Sequence, residues 1–259
     1  MTLSILTAVC GAIEITERWF VETVGSCTTS PEVVVVSNGN TETEADHLAS
    51  LLPVGGKLII ESSPLGSTRA FNRGLTSCTG DVVAMLHNDL MLKQQGWDEA
   101  VLEVFASTPG MGVAGLHGSQ ALGHPALYQL PYELHQLARG RNWSNLEDAE
   151  AHGNRTNLIT EVVTLDGMAL IARRDDLESW GGLDEKYTHH MYDHDLCLTA
   201  RKHGRRNYLI PLPARHVSGQ TANAQRYQDQ FGPDAEIHRQ AHATFYESWR
   251  GTGMLPAEV

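Results

Sequence analysis

Positive charge is in short supply in this chain: 19 lysines and arginines stand against 31 aspartates and glutamates, a formal net charge of −12. A deficit of that size argues against a general basic groove for nucleic acid. The one local cluster, Arg201, Lys202, Arg205 and Arg206, reads as a solvated helix end. Cysteine is scarce as well. Cys10, Cys27, Cys78 and Cys197 are scattered without CxxC spacing, which excludes a cysteine zinc cage and a disulfide framework and points to reduced thiols in a cytoplasmic protein. No apolar run approaches the roughly 18 residues of a membrane helix. The opening MTLSILTAVCGAI has no basic residue before its apolar part and soon meets Glu14, Glu17 and Arg18, so it reads as a buried strand and not a secretion signal. Sequons at Asn142 and Asn154 are then chance matches. There is no internal repeat and no low-complexity tract.

What the chain does have is 259 residues, 41% of them hydrophobic, enough for one large α/β domain with a short appendage or for two small domains. Apolar runs at Leu3–Val9, Glu32–Val36, Lys57–Glu61, Asp81–Leu86 and Met111–Leu116 predict strands. Helical spacing separates them: Ile15, Trp19 and Thr23; Ala45–Leu52; Ser67–Leu75; Trp97–Phe105. That alternation predicts a mostly parallel sheet with helices on both faces, and such sheets bind ligands beyond the carboxyl ends of their strands. The turn Ser37-Asn38-Gly39-Asn40 and the triplet His87-Asn88-Asp89 lie at those ends. From Gly118 to Leu158 the periodicity fades, as in a lid or a substrate-binding excursion. Glu161–Arg173 reads as one strand, Asp193–His203 as a helix stopped by Gly204, Tyr208–Ile210 as a short strand. The polar tail from Thr221, carrying Tyr227, Phe231, Phe245, Tyr246 and Trp249, reads as helical.

Three stretches, in order, resemble glycosyltransferase family 2, whose members have the GT-A fold. VVVVSNGNTE is similar to the family's strand and Asp-Asn-Gly-Ser-type turn. GSTRAFNRGLTSCTGDVVAMLHNDLMLKQQGW is similar to its Asn-x-Gly helix, hydrophobic strand and DxD-type segment. The stretch from Asp166 to Gly219 is similar to its Gly-Gly-Phe-Asp-Glu, Glu-Asp-x-Asp-Leu and distal His sequence. The resemblance spans roughly residues 3–220. It implies a GT-A domain over 1–220, with a nucleotide-sugar-binding half at 1–117 and an acceptor and catalytic half at 118–220, followed by a helical tail at 221–259; the tail is a candidate surface for a homo-oligomer.

The resemblance also implies a metal-dependent transfer of a sugar from a nucleotide-diphosphate sugar to an acceptor hydroxyl, with inversion. Asp89 matches the metal-binding Asp of the DxD, and His216 the distal His that completes the site with Mn²⁺ or Mg²⁺; His87 departs from the usual first Asp. A hard divalent ion with oxygen ligands suits a pyrophosphate, and an imidazole beside a carboxylate favours Mn²⁺ over Mg²⁺. Asp193 corresponds to the general base, with Asp195 bracing the site and Tyr192 replacing a Glu; Asp166 stands near donor sugar and acceptor. Donor contacts are expected from Ser37, Asn38, Gly39, Arg69, Asn72, Asn88 and Asp89, with Ser37 replacing a base-binding Asp. His189, His190, His194, His238 and His242 take no metal role from sequence alone. The acceptor is left open among a glycan, a small molecule and a modified base. The rival readings are a retaining transferase on the same fold and a non-catalytic sugar-nucleotide or glycan-binding protein.

Overall fold

The computed structural model describes residues 1–122, 142–147, 153–217 and 224–255. The expected excursion over 118–158 therefore lies largely outside the described residues. Its described ends are β7 (His117–Ser119) and β8 (Asn142–Ser144), which pair with β10 (Thr164–Leu165) in a small antiparallel sheet.

The main sheet has eight strands in the order β3-β2-β1-β4-β11-β6-β12-β9. They are β1 (Leu3–Val9), β2 (Glu32–Asn38), β3 (Lys57–Glu61), β4 (Val82–Leu86), β6 (Met111–Gly115), β9 (Thr160–Val162), β11 (Ala169–Arg173) and β12 (Arg206–Leu209). All run the same way except β11 and β9. The run of four valines in β2 follows from burial on both faces. Val34 and Val36 join Leu6, Val83 and Met85 in a core under α3 (Ser67–Leu75), α6 (Tyr192–Lys202) and α8 (Asp234–Trp249). Val33 and Val35 join Ile5, Val9 and Leu86 in a second core under α1 (Ile13–Trp19), α2 (Glu42–Leu51) and α4 (Trp97–Ser107). The result is the expected three-layer α/β arrangement.

Local chemistry sets the helix starts. Thr41 and Glu44 form a capping box at α2, each side chain taking the other's backbone N–H. At α4 the fully buried Asp98 accepts from the backbone N–H groups of Thr28 (3.0 Å) and Thr29 (2.7 Å) and from the Thr29 hydroxyl. Burial pulls its carboxyl up, and those donors outweigh it, so it is held below the usual range. Asp98→Ala removes the hydrogen bonds that tie the Thr28–Thr29 segment to α4 and is expected to cost about 1.5–3 kcal/mol, to be read as a lower urea midpoint at unchanged slope.

Two expectations change. The stretch Glu161–Arg173 is three strands, β9, β10 and β11, because Asp166 accepts the Met168 N–H (3.0 Å) and turns the chain between β10 and β11. Its continuous apolar pattern arises because the pieces are buried in two different sheets. The tail is built into the fold. In α7 (Gln225–Phe231), Tyr227 packs on Cys10, while Phe245 and Trp249 of α8 enter the first core. Tyr227, Phe245, Tyr246 and Trp249 are buried within one chain. All four cysteines are free thiols. Among the described residues no helix is long and apolar enough to cross a membrane.

Candidate active site

Where β4 ends, the chain turns through His87-Asn88-Asp89 into β5 (Leu90–Met91), which pairs antiparallel with β13 (Arg215–His216). This pairing sets His216 opposite Leu90, and the Val217 N–H donates to the Asp89 carbonyl at 3.1 Å. Asp89 is 3% exposed, and the His216 Nε2 lies 3.1 Å from its Oδ1. His87 Nδ1 is 4.0 Å from the same oxygen. One ligand atom from each of His87, Asp89 and His216 falls within 4.8 Å of the other two. Burial pulls the Asp89 carboxyl up, but the two imidazoles outweigh it and keep it below its ordinary range.

The side chain of Asn88 turns the other way and donates to Thr16 on α1 at 2.8 Å, bracing the loop from inside. His87 was set aside by the sequence reading as a departure from the usual Asp, yet the structure places it in the cluster. Its other nitrogen, Nε2, is 3.1 Å from the hydroxyl of Tyr192, the second departure. The same hydroxyl lies 3.3 Å from the Gly167 carbonyl. When its single proton goes there, it accepts from the His87 Nε2–H, and the ring presents a lone pair at Nδ1, on the Asp89 side. Outer partners commonly fix a ligating imidazole in this way. Burial is the main reason the His87 pKa is lowered, which keeps the ring neutral. Gly167 makes room for the arrangement, since a Cβ there would stand 2.5 Å from the Tyr192 hydroxyl.

Asp193, in the first turn of α6, borders the same corner. Its Oδ2 accepts the Gly167 N–H (2.9 Å), and its Oδ1 accepts the His194 N–H (2.8 Å) with the His194 ring 3.0 Å away. Burial raises its pKa, but the His194 charge and these hydrogen bonds win, bringing it to about 2. Asp166 caps the Met168 N–H beside it, and the charges of Asp89, Asp166, Asp193 and His216 all bear on His87. Asp195 has a different task. At 5% exposed, it accepts from Tyr187 (3.0 Å) and from the Trp249 indole (2.8 Å), tying α6 to α8.

Of the residues expected to contact the nucleotide, several are already engaged. Asn38 accepts the Leu65 N–H (2.8 Å), and Ser37 takes a 3.1 Å bond from Asn40. Gly39 has φ of +77°, and a Cβ there would strike Pro64. Asn72 spends its amide on the turn at Leu183, accepting its N–H (2.9 Å) and donating to its carbonyl (2.8 Å). Trp180, Gly181, Gly182 and Leu183 line with it a cavity of about 340 Å³ that also touches Asp195. Arg69 is exposed and pairs with Glu185 at 3.4 Å. Sequence reading missed Arg226 of α7. It grips Glu44 with two bonds (2.6 and 2.8 Å) and reaches the Gly39 carbonyl (3.2 Å), laying the tail across the turn after β2. No local signal marks it.

Comparison with known proteins agrees with this geometry. A family model described as a glycosyltransferase-like family matches residues 52–230. No curated protein matches the sequence significantly. Among solved structures, a mannosyltransferase from Pyrobaculum calidifontis in complex with GDP-Man and Mn²⁺ superposes with a TM-score of 0.56 at 16% identity, over 98% of this chain and 72% of that one. Glucosyl-3-phosphoglycerate synthase from Mycobacterium tuberculosis, with Mn²⁺, UDP and glucosyl-3-phosphoglycerate, gives 0.59 at 15% identity over 99% and 81%. GalNAc-T7 with UDP, GalNAc and Mn²⁺ gives 0.63 at 12% identity, where this chain spans 52% of the longer protein. At these identities the likeness is one of fold.

Proposed function

The chain belongs to the glycosyltransferase-like family, and we propose that it transfers a sugar from a nucleotide-diphosphate sugar to an acceptor hydroxyl, with inversion, at the carboxyl edge of the sheet. One observation carries this reading: His87, Asp89 and His216 converge at the end of β4, at the corner where Asp166 and Asp193 also stand. Two imidazoles and a carboxylate with mutually close ligand atoms fit a divalent ion, and that donor set favours Mn²⁺ over Mg²⁺. Such an ion, when bound, neutralises charge on the departing diphosphate.

The remaining work falls to the chain's own groups. Asp193 is ionised at any working pH and sits at a helix start facing the Gly167 loop. It accepts the acceptor's proton as the oxygen attacks the anomeric carbon, late in the step because a carboxylate of so low a pKa binds a proton weakly. Asp166, on the adjoining turn, is positioned to bond sugar or acceptor hydroxyls. The turn Ser37-Asn38-Gly39, roofed by Arg226, bounds the nucleotide base. With Ser37 and Asn38 both buried and engaged, the backbone of the turn at Gly39 supplies the base contacts.

The test is a nucleotide-release screen across common nucleotide sugars, with Mn²⁺ and with chelator. Release from at least one donor in Mn²⁺ alone is the expected result. Tight donor binding without release, in the presence of candidate acceptors, would support a sugar-nucleotide-binding protein instead. The anomer of the product separates inversion from retention.

Tyr192 provides a graded check. Tyr192→Phe keeps the ring but deletes the hydroxyl that orients His87, and outer-shell losses of this kind weaken metal affinity about 10–100-fold. Mn²⁺ titration of the folded variant is expected to fall in that range, whereas an unchanged affinity would mean that His87 is not a ligand.

A further inference from the structure

A second group of metal-ligating side chains, sharing no residue with the first, lies beside the tail. His189 and His190 precede α6, and Asp234 opens α8; one ligand atom from each lies within 4.8 Å of the others. We propose that His189, His190 and Asp234 form a Zn²⁺ site that clasps α8 to the segment leading into α6.

The geometry is that of a built site. His190 Nε2 and Asp234 Oδ1 are 2.7 Å apart, across a sequence separation of 44 residues. The His189 ring stands edge-on to His190, with centroids 4.7 Å apart, and edge-on to Tyr227 of α7 at 5.6 Å. The Ser67 hydroxyl at the start of α3 holds His189 Nδ1 at 2.6 Å, which leaves Nε2 to ligate. This is the outer-shell bond that usually orients a metal-bound imidazole. His238 is one helical turn beyond Asp234 on the same face of α8, and its ring centroid is 4.6 Å from that of His190. Its Nε2 lies 3.2 Å from the His242 Nε2, and it stands outside the three-ligand group.

Two imidazoles and one carboxylate are ligands of the kind zinc takes, with the fourth position open to a further donor. The set is poor in the oxygen donors that Mn²⁺ and Mg²⁺ prefer. It differs in this from the site at Asp89, where a donor diphosphate would add oxygens. The ligands come from the α6 approach and from α8, and Ser67 ties the cluster to α3. A bound ion would therefore fix the tail where Arg226 crosses the turn after β2.

The experiment uses the full chain, stripped with chelator, in an Asp89→Ala background that removes the first site. Zn²⁺ is titrated against a chromophoric chelator, and the melting temperature is followed in parallel. The expected result is one equivalent of Zn²⁺ bound, with a higher melting temperature. Adding His190→Ala is expected to lower that affinity at least about a hundredfold and to abolish the thermal gain. Asp234→Asn, which keeps the helix start and can still bond His190, is expected to lose the thermal gain as well while melting normally without metal. No Zn²⁺ uptake by the Asp89→Ala protein, or equal uptake with and without the His190 and Asp234 changes, would overturn the proposal. Neither result bears on sugar transfer, which is read separately by nucleotide release.

Discussion

Replacing Asp193 by Asn is expected to slow sugar transfer at least about a hundredfold, the lower end of what loss of a general base costs, with donor and metal binding close to the parent's. The structure separates this outcome from a stability effect. Asp193 lies one position inside α6, accepts the N–H groups of Gly167 and His194, and faces the His194 ring. An asparagine oxygen retains one of those bonds, and the amide can no longer take a proton. If the carboxylate served only the helix start, the change would cost on the order of 0.5–2 kcal/mol of stability and leave turnover of the remaining folded enzyme intact. Steady-state kinetics beside a thermal melt therefore divides the two roles. A variant that turns over near-normally would move the base elsewhere. The next residue to test is then Asp166 and not Asp195, whose carboxylate is taken up by Tyr187 and Trp249 inside the protein.

Asp89→Ala is expected to remove metal-linked binding of nucleoside diphosphate altogether. Loss of an outer-shell partner already costs about 10–100-fold in metal affinity, and Asp89 is the sole carboxylate among the three clustered ligands. Without it only the His87 and His216 rings remain, with centroids 5.5 Å apart. Calorimetry of UDP and GDP with and without Mn²⁺ reads the effect. The metal-dependent gain in affinity should vanish, while the small metal-free component persists. A variant that keeps the Mn²⁺-linked gain would remove Asp89 from the site. The carboxylate is buried and held ionised, so alanine also relieves a desolvated charge, and the variant is expected to stay folded.

Much of the sheet was legible because its signals are local. Four consecutive valines demand burial on both faces, and a strand that ends in His-Asn-Asp puts polar groups at the rim. What escaped depends on distant pairing. The Glu161–Arg173 stretch reads as one strand because each segment is apolar, and only the bond from Asp166 to Met168 shows where the chain changes sheets. The roles of Asn38 and Asn72 as braces are invisible in sequence, since their partners are the backbone of Leu65 and Leu183. The site at Asp89 was half visible. Asp89 and His216 follow from the resemblance, but His87 looked like a defect until Tyr192 was seen beside it. The tail was read as helical, and so it is, but its burial of Tyr227, Phe245 and Trp249 against its own chain has no periodic signature that distinguishes it from an interface.

The contact between His87 and Tyr192 has a consequence for descent. The two positions are 105 residues apart and touch at 3.1 Å. An aspartate at 87 would instead accept the Tyr192 hydroxyl proton, drawing it away from the Gly167 carbonyl. A glutamate at 192 facing His87 would hold the ring's proton more tightly and bring a further negative charge to a corner already bearing Asp89, Asp166 and Asp193. Either exchange alone changes which group holds the proton at this contact, so the two letters are expected to vary together among related chains.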